Sequence, residues 1–419
     1  MTAGDDVRHA LADAHRREWA RVLAATVRVA GDIDLAQECT QDAYVQALTT
    51  WQRDGIPPNP AAWLTTVARN RVLDSHRRAA TLRGKLPLII PDHAPAPAAD
   101  LGLGAEPEIP DDRLRLVFTC CHPALAREAQ VALTLRLVCG LTTQEIAHSF
   151  LVSEPTMAAR VTRAKKKIAS ARIPYRVPAG HELAERLDAV LTVLHLVFTT
   201  GHTAPGGPDL MRADLTERAV DLTRTLTVLM PDEAEVRGLL ALMTLNRARE
   251  GTRVDEDGDL VPLEEQDRGR WDVSAITEGR RLVREAVRGG RPGRFALQAA
   301  IAALHAAAPS VAETDWPQLV GLYDLLLRVW PSPVVGLNRA LAVGFRDGPA
   351  AGLAALDELD ASALGGYHYL PAARADLLRR MGRRAEAASA YRQALEQVDN
   401  ERERVFLQRR LASVDPRLP

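Results

Sequence analysis

The sequence predicts an all-α protein, and three observations favour that class. Ala, Leu and Arg, which favour helices, dominate the 419 residues. Aromatic residues make up only 4% of the chain, and runs of β-branched residues are short. Apolar residues in the segments described below recur at steps of three and four, as on one side of a helix. The length exceeds that of one ordinary core, so two or three domains are expected.

Three helices are expected in residues 1–80. The first covers residues 7–30, ends at Gly31 and has these apolar positions: Val7, Leu11, Trp19, Val22, Leu23, Val27 and Val29. The second, DIDLAQECTQDAYVQALTTW, places Leu35, Cys39, Ala43 and Ala47 on one buried stripe. Its outward face carries Asp34, Glu38, Gln41 and Asp42, which suits a protein partner as well as plain solvation. The third, AAWLTTVARNRVLDSHRRA, has Asn59 as its cap and Pro60 at its first position.

The third helix combines an aromatic residue with basic and amide side chains. Trp63, Val67 and Leu73 are expected to face inward, with packing as the first role of Trp63. The polar positions are Arg69, Asn70, Arg77 and Arg78. Such a mixture can hold the phosphates and unstacked bases of single-stranded DNA, although the pattern alone is weak. Residues 81–110, rich in Pro, Ala and Gly, then predict a flexible, extended linker.

Residues 111–178 predict a helix-turn-helix with supporting helices. The supporting core is Leu114, Val117, Phe118, Leu133, Leu135 and Leu137, and Gly140 ends it. Thr142 and Glu145 fit a reciprocal capping box at the start of a short helix. Ser153 then caps a second helix whose buried stripe is Met157, Val161, Ala164 and Ile168.

The opposite face of this second helix is basic. Residues 155–180 contain seven Lys and Arg residues and no acid, although the whole chain has a formal charge of −1. A solvated surface helix is the plainer alternative. The capped, turn-linked helix pair and its charge favour docking on the DNA phosphate backbone.

The segment QEIAHSFLVSEPTMAARVTRAKKKI resembles region 4 of extracytoplasmic-function (ECF) sigma factors. The resemblance implies that Thr156, Arg160 and Arg163 face the minus-thirty-five element, with Lys165, Lys166 and Lys167 on phosphates. DLAQECTQDAYVQAL is similar to the polymerase-binding helix of region 2, with Gln41, Asp42 and Tyr44 as the strongest matches. The same resemblance puts Arg69 and Asn70 near a captured base of the minus-ten element, and Arg77 and Arg78 near phosphates.

Residues 182–419 predict a C-terminal extension of helical repeats. Two stretches align Gly348 with Gly382, Ala351 with Ala385 and Ala354 with Ala388, all 34 residues apart, which is the tetratricopeptide period. The segments LEEQDRGRWD, DWPQLVGLYDLLL and GYHYLPAARADLLRRMGR resemble the ECF group that carries such an extension. Residues 181–419 hold 30 Arg, no Lys and 35 acids, so a contact with the basic helix-turn-helix is electrostatically favourable.

No catalytic, metal or cofactor site is predicted. The acids Asp255, Asp257, Asp259, Glu264, Glu265 and Asp267 allow an acid–base pair or a cation site, but a solvated loop with a short strand pair near 260–263 is favoured. Cys120, Cys121 and His122 are adjacent and cannot converge alone on one ion, whereas Cys39 and Cys139 suit a core. His195 and His202 could share a helix face, with a core or capping role favoured.

These features predict a cytoplasmic, non-enzymatic initiation factor. We expect core RNA polymerase and promoter DNA as partners, no membrane association, and a C-terminal domain that regulates or supports initiation. The alternative is a helix-turn-helix regulator or repeat adaptor that acts without core polymerase. The polymerase-binding helix distinguishes the two hypotheses.

Overall fold

A computed structural model describes residues 3–85, 112–149, 152–178, 180–204, 210–360 and 364–415. The chain divides into two compact units, Met1–His148 with Val152–Val193, and Leu194–Pro419 with Ser149–Leu151. The described residues form α-helices and no strand, which confirms the predicted all-α class. Most of the predicted linker, residues 86–110, lies outside the described residues. None of the described helices is long and apolar enough to cross a membrane.

The first unit contains seven helices and the start of an eighth within its described residues. Their bounds are α1 Ala3–Ala30, α2 Ile33–Asp54, α3 Pro60–Lys85, α4 Asp112–Cys120, α5 Arg127–Leu133, α6 Thr143–Ser149, α7 Glu154–Ser170 and α8 Gly180–His202. A π-helical turn, Thr134–Val138, follows α5 directly.

Helices α1, α2 and α3 pack around one apolar core. Val22 of α1, Ala43 and Ala47 of α2 and Leu64 of α3 are all fully buried there. The predicted caps are present, because the Ala62 amide donates to Asn59 Oδ1 at 3.0 Å and the Gly31 amide donates to the Val27 carbonyl.

The prediction that Leu73 faces inward on α3 was wrong. Leu73 is 44% exposed, and the buried stripe of the helix is Leu64, Ala68 and Val72. These three positions are spaced four residues apart, so Leu73 lies about 100° around the helix from Val72. The aromatic ring of Trp63 is half-buried and packs edge-on against Trp51, with the ring centroids 5.6 Å apart.

The predicted core under the helix-turn-helix is confirmed, since its six apolar residues are all at most 2% exposed. Gly140 ends this layer with a φ of 71°. A Cβ atom at Gly140 would lie 2.9 Å from Cδ1 of Trp19, so the close approach as well as the left-handed backbone requires glycine.

The second unit is built from helical hairpins. Its helices, after the end of α8, are α9 Ala213–Leu229, α10 Ala234–Arg247, α11 Val273–Val287, α12 Arg294–Ala307, α13 Trp316–Val329, α14 Pro333–Arg346, α15 Pro349–Asp357, α16 Tyr369–Arg380, α17 Arg384–Gln397 and α18 Glu401–Val414. The aligned glycines Gly348 and Gly382 both lie at positive φ, in the turns before α15 and α17. Helices α14 and α15 approach closely at Gly344 and Gly352, because a Cβ on Gly352 would lie 2.7 Å from Cα of Gly344.

The acidic insertion between α10 and α11 packs against other parts of the second unit. The predicted strand pair is reduced to an isolated antiparallel bridge between Val254 and Leu260. Asp259 is only 6% exposed, which overturns the solvated-loop prediction at this position, and it accepts hydrogen bonds from Arg402 and Arg409. Glu265 pairs with Arg410 at 2.7 Å. These acids therefore anchor the insertion to α18.

Candidate nucleic-acid and polymerase interface

The helix-turn-helix is formed by α6 and α7, and its predicted caps are confirmed. The Glu145 amide donates to Thr142 Oγ1 at 3.1 Å, and the Thr142 amide donates to Glu145 Oε2 at 2.7 Å. The Thr156 amide donates to Ser153 Oγ at 3.4 Å, at the start of α7. These reciprocal bonds satisfy amides that a helix start would otherwise leave unpaired.

The recognition helix α7 has two distinct faces. The predicted stripe of Met157, Val161, Ala164 and Ile168 is buried, with each residue at most 7% exposed. Exposed positions on other faces include Thr156, Arg163, Lys166 and Lys167, while Arg160 is half-buried. The Thr156 hydroxyl lies 2.8 Å from Ser153 Oγ, so it takes part in the cap. A basic surface thus extends along the outside of α7, as phosphate contact requires.

Lys165 is placed apart from its two lysine neighbours. Its side chain is only 12% exposed, and its Nζ donates to Asp34 Oδ1 at 2.8 Å and to Gln37 Oε1 at 2.5 Å. Asp34 and Gln37 both belong to α2. One residue predicted to contact DNA is therefore bonded to one predicted to contact polymerase.

Further contacts hold the two modules of the first unit together. The Trp19 indole donates to the Leu137 carbonyl at 3.2 Å. The Tyr175 hydroxyl donates to the Ala24 carbonyl at 2.9 Å, and burial raises the pKa of Tyr175 above its ordinary value. Arg28 lies 3.5 Å from the carboxylate of Asp112. This packing keeps α7 beside α2.

The predicted polymerase-binding residues on α2 lie in different environments. Glu38 and Gln41 are exposed. Asp42 accepts a hydrogen bond from Arg71 at 2.8 Å, and the half-buried Tyr44 donates to the Ala14 carbonyl at 3.3 Å. Sequence reasoning missed Arg71, whose guanidinium also donates to Gln46 and so ties α3 to α2.

Sequence reasoning also missed two apolar residues on the exposed side of α2. Val45 is 63% exposed and Leu48 is 40% exposed. They follow Gln41 at steps of four and three, so the three side chains form one stripe on the helix surface. Their spacing was visible in the sequence, but their exposure depends on how α2 packs on α1 and α3.

On α3, the predicted DNA-binding residues are exposed apart from Trp63. Arg69, Asn70, Arg77 and Arg78 all lie on the surface. Arg77 contacts Asp74 at 3.2 Å, and Arg78 donates to the Asp74 carbonyl at 3.3 Å. Such an exposed ion pair exchanges readily with a phosphate contact, because its net stabilisation is small.

The cysteines and histidines considered as ligands are buried separately. Cys120 and Cys121 are fully buried, and burial raises the pKa of the Cys121 thiol to about 12. His195 packs edge-on against Phe295, and His202 stacks on Phe198, which agrees with the favoured core or capping role. Within the described residues, no cluster of three or more His, Cys, Asp or Glu side chains could hold a metal ion.

Comparison with known protein families identifies the two modules. Residues 8–81 match Sigma-70 region 2, and residues 115–168 match Sigma-70, region 4. Residues 186–287 match a family of unknown function, DUF6596. Two sigma-70 modules in this order, the second carrying the helix-turn-helix, support a sigma factor role in transcription initiation.

Among individual relatives, an uncharacterized protein of Rhizobium meliloti (strain 1021) is 43% identical over 394 residues, which span 93% of this chain and 92% of the relative. The chain belongs to the same family as that protein. It is also 28% identical over 192 residues to the probable ECF RNA polymerase sigma factor SigI of Mycobacterium tuberculosis, over 43% of this chain and 66% of the relative. No solved structure gives a significant match.

Proposed function

We propose that this sigma factor binds core RNA polymerase, directs it to specific promoters and performs no catalytic step itself. The observation that carries the proposal is the pair of sigma-70 modules, with a capped helix-turn-helix whose outer face is basic. In this proposal Thr156, Arg160 and Arg163 face the minus-thirty-five element, and Lys165, Lys166 and Lys167 contact phosphates. The exposed Arg163, Lys166 and Lys167 support the assignment.

The polymerase-binding surface is assigned to the outer side of α2. Glu38 and Gln41 are exposed there, and Val45 and Leu48 add an apolar stripe. A patch of this kind, with polar groups around apolar side chains, suits a protein partner. Asp34, Asp42 and Tyr44 complete the proposed surface. Asp34 accepts a bond from Lys165 at Oδ1, but its side chain is 68% exposed and remains accessible to a partner.

We assign capture of the minus-ten element to α3. Arg69 and Asn70 would lie near an unstacked base, and Arg77 and Arg78 near phosphates. Their exposure on one helix supports this role. Trp63, which packs against Trp51, would orient α3 more than it contacts DNA.

The test of the proposal is run-off transcription with purified core enzyme and a promoter of the chain's own gene neighbourhood. A sigma factor produces promoter-dependent transcripts and co-elutes with core polymerase in gel filtration. Promoter binding without core binding would instead identify the alternative, a helix-turn-helix regulator or repeat adaptor. Variant Val45→Glu alters the proposed polymerase surface without changing α7. It should therefore weaken co-elution with core polymerase.

We further propose that the C-terminal extension supports assembly of the initiation complex, including through contact with the sigma modules. Its size and stacked helices suit a binding surface. The sequence alone suggests a truncation after Arg176. However, Arg186 donates to the Phe118 carbonyl at 2.6 Å, and Arg127 donates to the Ala189 carbonyl. A chain that ends after Val193 keeps these bonds and is the better test.

The truncated chain distinguishes the two roles of the extension. If the extension supports assembly, the chain ending after Val193 should lose transcription although it still folds, as checked by circular dichroism. If the extension only inhibits, that chain should be more active than the full protein. Full and equal activity of both chains would contradict either role.

A further inference from the structure

The second unit contains a cavity of about 420 Å³ among α8, α10, α12, α13 and α14. This volume lies within the range of about 300–1,000 Å³ that is typical of small-molecule sites. Its lining is mainly apolar and aromatic, with a few polar side chains. Representative lining residues are Leu242, Arg249, Trp271, His305, Tyr323 and Trp330.

Arg249 supplies a positive charge at the cavity wall. Its Nη2 donates to Asn246 Oδ1 at 3.2 Å, and both residues line the cavity. Within the described part of the chain, no carboxylate lies within ion-pair distance of Arg249. Burial and the nearby charges of Arg253 and Arg268 lower its pKa to about 10, so the guanidinium is still protonated at neutral pH. Arg249 is half-buried, and a partly desolvated charge without a counterion is costly, so an anion bound beside it would offset that cost.

The neighbouring arginine is already engaged by the protein backbone. Arg268 donates from Nη1 to the carbonyls of His305 and Ala308, at 2.7 and 2.6 Å. Carbonyl groups are neutral, so these bonds position Arg268 without cancelling its charge. Arg268 therefore adds to the positive potential near Arg249.

His305 adds unused hydrogen-bonding capacity to the cavity wall. Its Nδ1 has no hydrogen-bond partner among the described residues, and its ring packs edge-on against Trp316. Burial lowers the pKa of His305 to about 4, so the imidazole is neutral at pH 7 and carries one donor and one acceptor. His195, whose pKa burial lowers to about 4, also lines the cavity as a neutral ring.

The aromatic walls are held in place by their own contacts. The Trp271 indole donates to Thr252 Oγ1 at 2.9 Å, and the Arg268 guanidinium lies over the Trp271 ring at 4.8 Å from its centroid. The Arg294 guanidinium lies 5.6 Å from the centroid of Trp330. Such fixed walls favour a flat apolar body, because little side-chain freedom is lost when it binds.

We infer that this cavity binds a small organic anion that has a flat apolar body, with its carboxylate or similar acid group beside Arg249. The inference concerns ligand binding by the second unit and does not depend on the proposed role in transcription. The class of ligand follows from the lining of the cavity, which has one cationic wall, neutral histidines and aromatic surfaces. The cavity volume suits one or two fused rings.

The test uses the full chain and two dyes of nearly the same shape. Anilinonaphthalene sulfonate carries an anionic group, whereas phenylnaphthylamine has the same apolar body without it. We expect saturable one-to-one binding of the sulfonate, measured by its fluorescence and by energy transfer from tryptophan. The neutral dye should bind about tenfold more weakly or worse, as expected for loss of a charge-assisted hydrogen bond.

Two variants locate the site. Arg249→Gln should weaken sulfonate binding by about tenfold and change binding of the neutral dye less than about threefold. Ala302→Phe, which fills the cavity at a lining position, should weaken binding of both dyes. Arg328→Gln, at an exposed arginine of α13, is the matched control and should change neither. Thermal unfolding of each variant shows whether the fold is retained.

Several results would overturn the inference. One is the absence of saturable sulfonate binding by the full chain. Another is equal affinity for the two dyes. Sulfonate binding that survives Ala302→Phe in a folded protein would place the dye outside this cavity. If Arg249→Gln does not fold, Arg249→Lys, which keeps a positive charge, must retain preference for the sulfonate, and loss of that preference in a folded variant would also count against the site.

Discussion

Replacement of Lys165 and Asp34 should reveal how strongly α7 is held against α2. The two charged atoms are 2.8 Å apart, although their residues are 131 positions apart in the chain. The lysine side chain is 12% exposed and the aspartate side chain 68% exposed. We propose the single variants Lys165→Met and Asp34→Asn and the double variant, which together isolate the energy of the pair.

The expected coupling follows from the distance and the exposure. Two unit charges at this distance attract by about 1.5 kcal/mol in bulk water and by about 6 kcal/mol at an effective dielectric constant of 20. Desolvation of the buried lysine offsets most of the larger value, while the exposed aspartate keeps much of its hydration. We therefore expect a coupling energy of about 0.5–1.5 kcal/mol, somewhat above the usual value for exposed pairs.

Amide hydrogen exchange of α7 and α2 in the full chain is the suitable assay, because it reports local opening in a protein with two units. Each single variant should reduce protection, and the double variant should reduce it by less than the sum. High salt should shrink the coupling, since the screening length falls to about 3 Å at 1 M. Lys166→Met is the control, because Lys166 is exposed and adjacent in sequence.

A coupling below about 0.3 kcal/mol, or one equal to that of Lys166 with Asp34, would refute this reasoning. If the proposed function holds, the contact also has a consequence for initiation. Lys165, whose side chain is only 12% exposed, cannot contact DNA while it is bonded to Asp34. Asp34→Asn should then raise promoter affinity, because it frees Lys165 for a phosphate contact.

Four further outcomes are expected. Asp42→Arg should weaken core polymerase binding and cost the fold at most about 1 kcal/mol, as measured by co-elution and thermal unfolding. Arg163→Ala should lower promoter affinity by about 1–3 kcal/mol in a binding titration if the side chain contacts a base. Gly140→Ala should lower the thermal midpoint more than Gly31→Ala, because both glycines have positive φ but only Gly140 lies against a side chain. Burial lowers the pKa of His202 to about 2, so acidification from pH 7 to 5 should destabilise the second unit by about 1–2 kcal/mol through this group.

The controls for these outcomes follow from the same contacts. Asp221→Arg reverses an exposed charge that is paired with Arg224, and it should leave core binding unchanged. Arg284→Ala removes an exposed arginine of α11 and should leave promoter affinity unchanged. An equal affinity loss for Arg163→Ala on all DNA sequences would instead indicate a phosphate contact.

The histidine prediction has a defined sign. Below pH 6.5 the unfolded chain takes up a proton at His202, whereas the folded chain does so only near pH 2. The unfolded state therefore binds more protons between these values, and stability falls as the pH decreases. His202→Gln should flatten this dependence. An unchanged pH profile of hydrogen exchange near the end of α8 would contradict the assignment.

The sequence alone determined those features of the protein that depend on neighbouring residues. The reciprocal cap of Thr142 and Glu145, the Ser153 cap and the buried stripe from Met157 to Ile168 were predicted and confirmed. Each depends on atoms within one or a few helical turns, so residue type and spacing are sufficient. The same local rules predicted the all-α class.

Only the tertiary structure decided which distant groups meet. Helical spacing gives the direction of Lys165 around α7, but not that α2 lies in that direction. In the same way, burial of Asp259 depends on Arg402 and Arg409 of a helix more than 140 residues away. The cavity beside Arg249 is bounded by five helices, and no single segment encodes it. Contacts of this kind arise from packing between segments, which sequence periodicity does not specify.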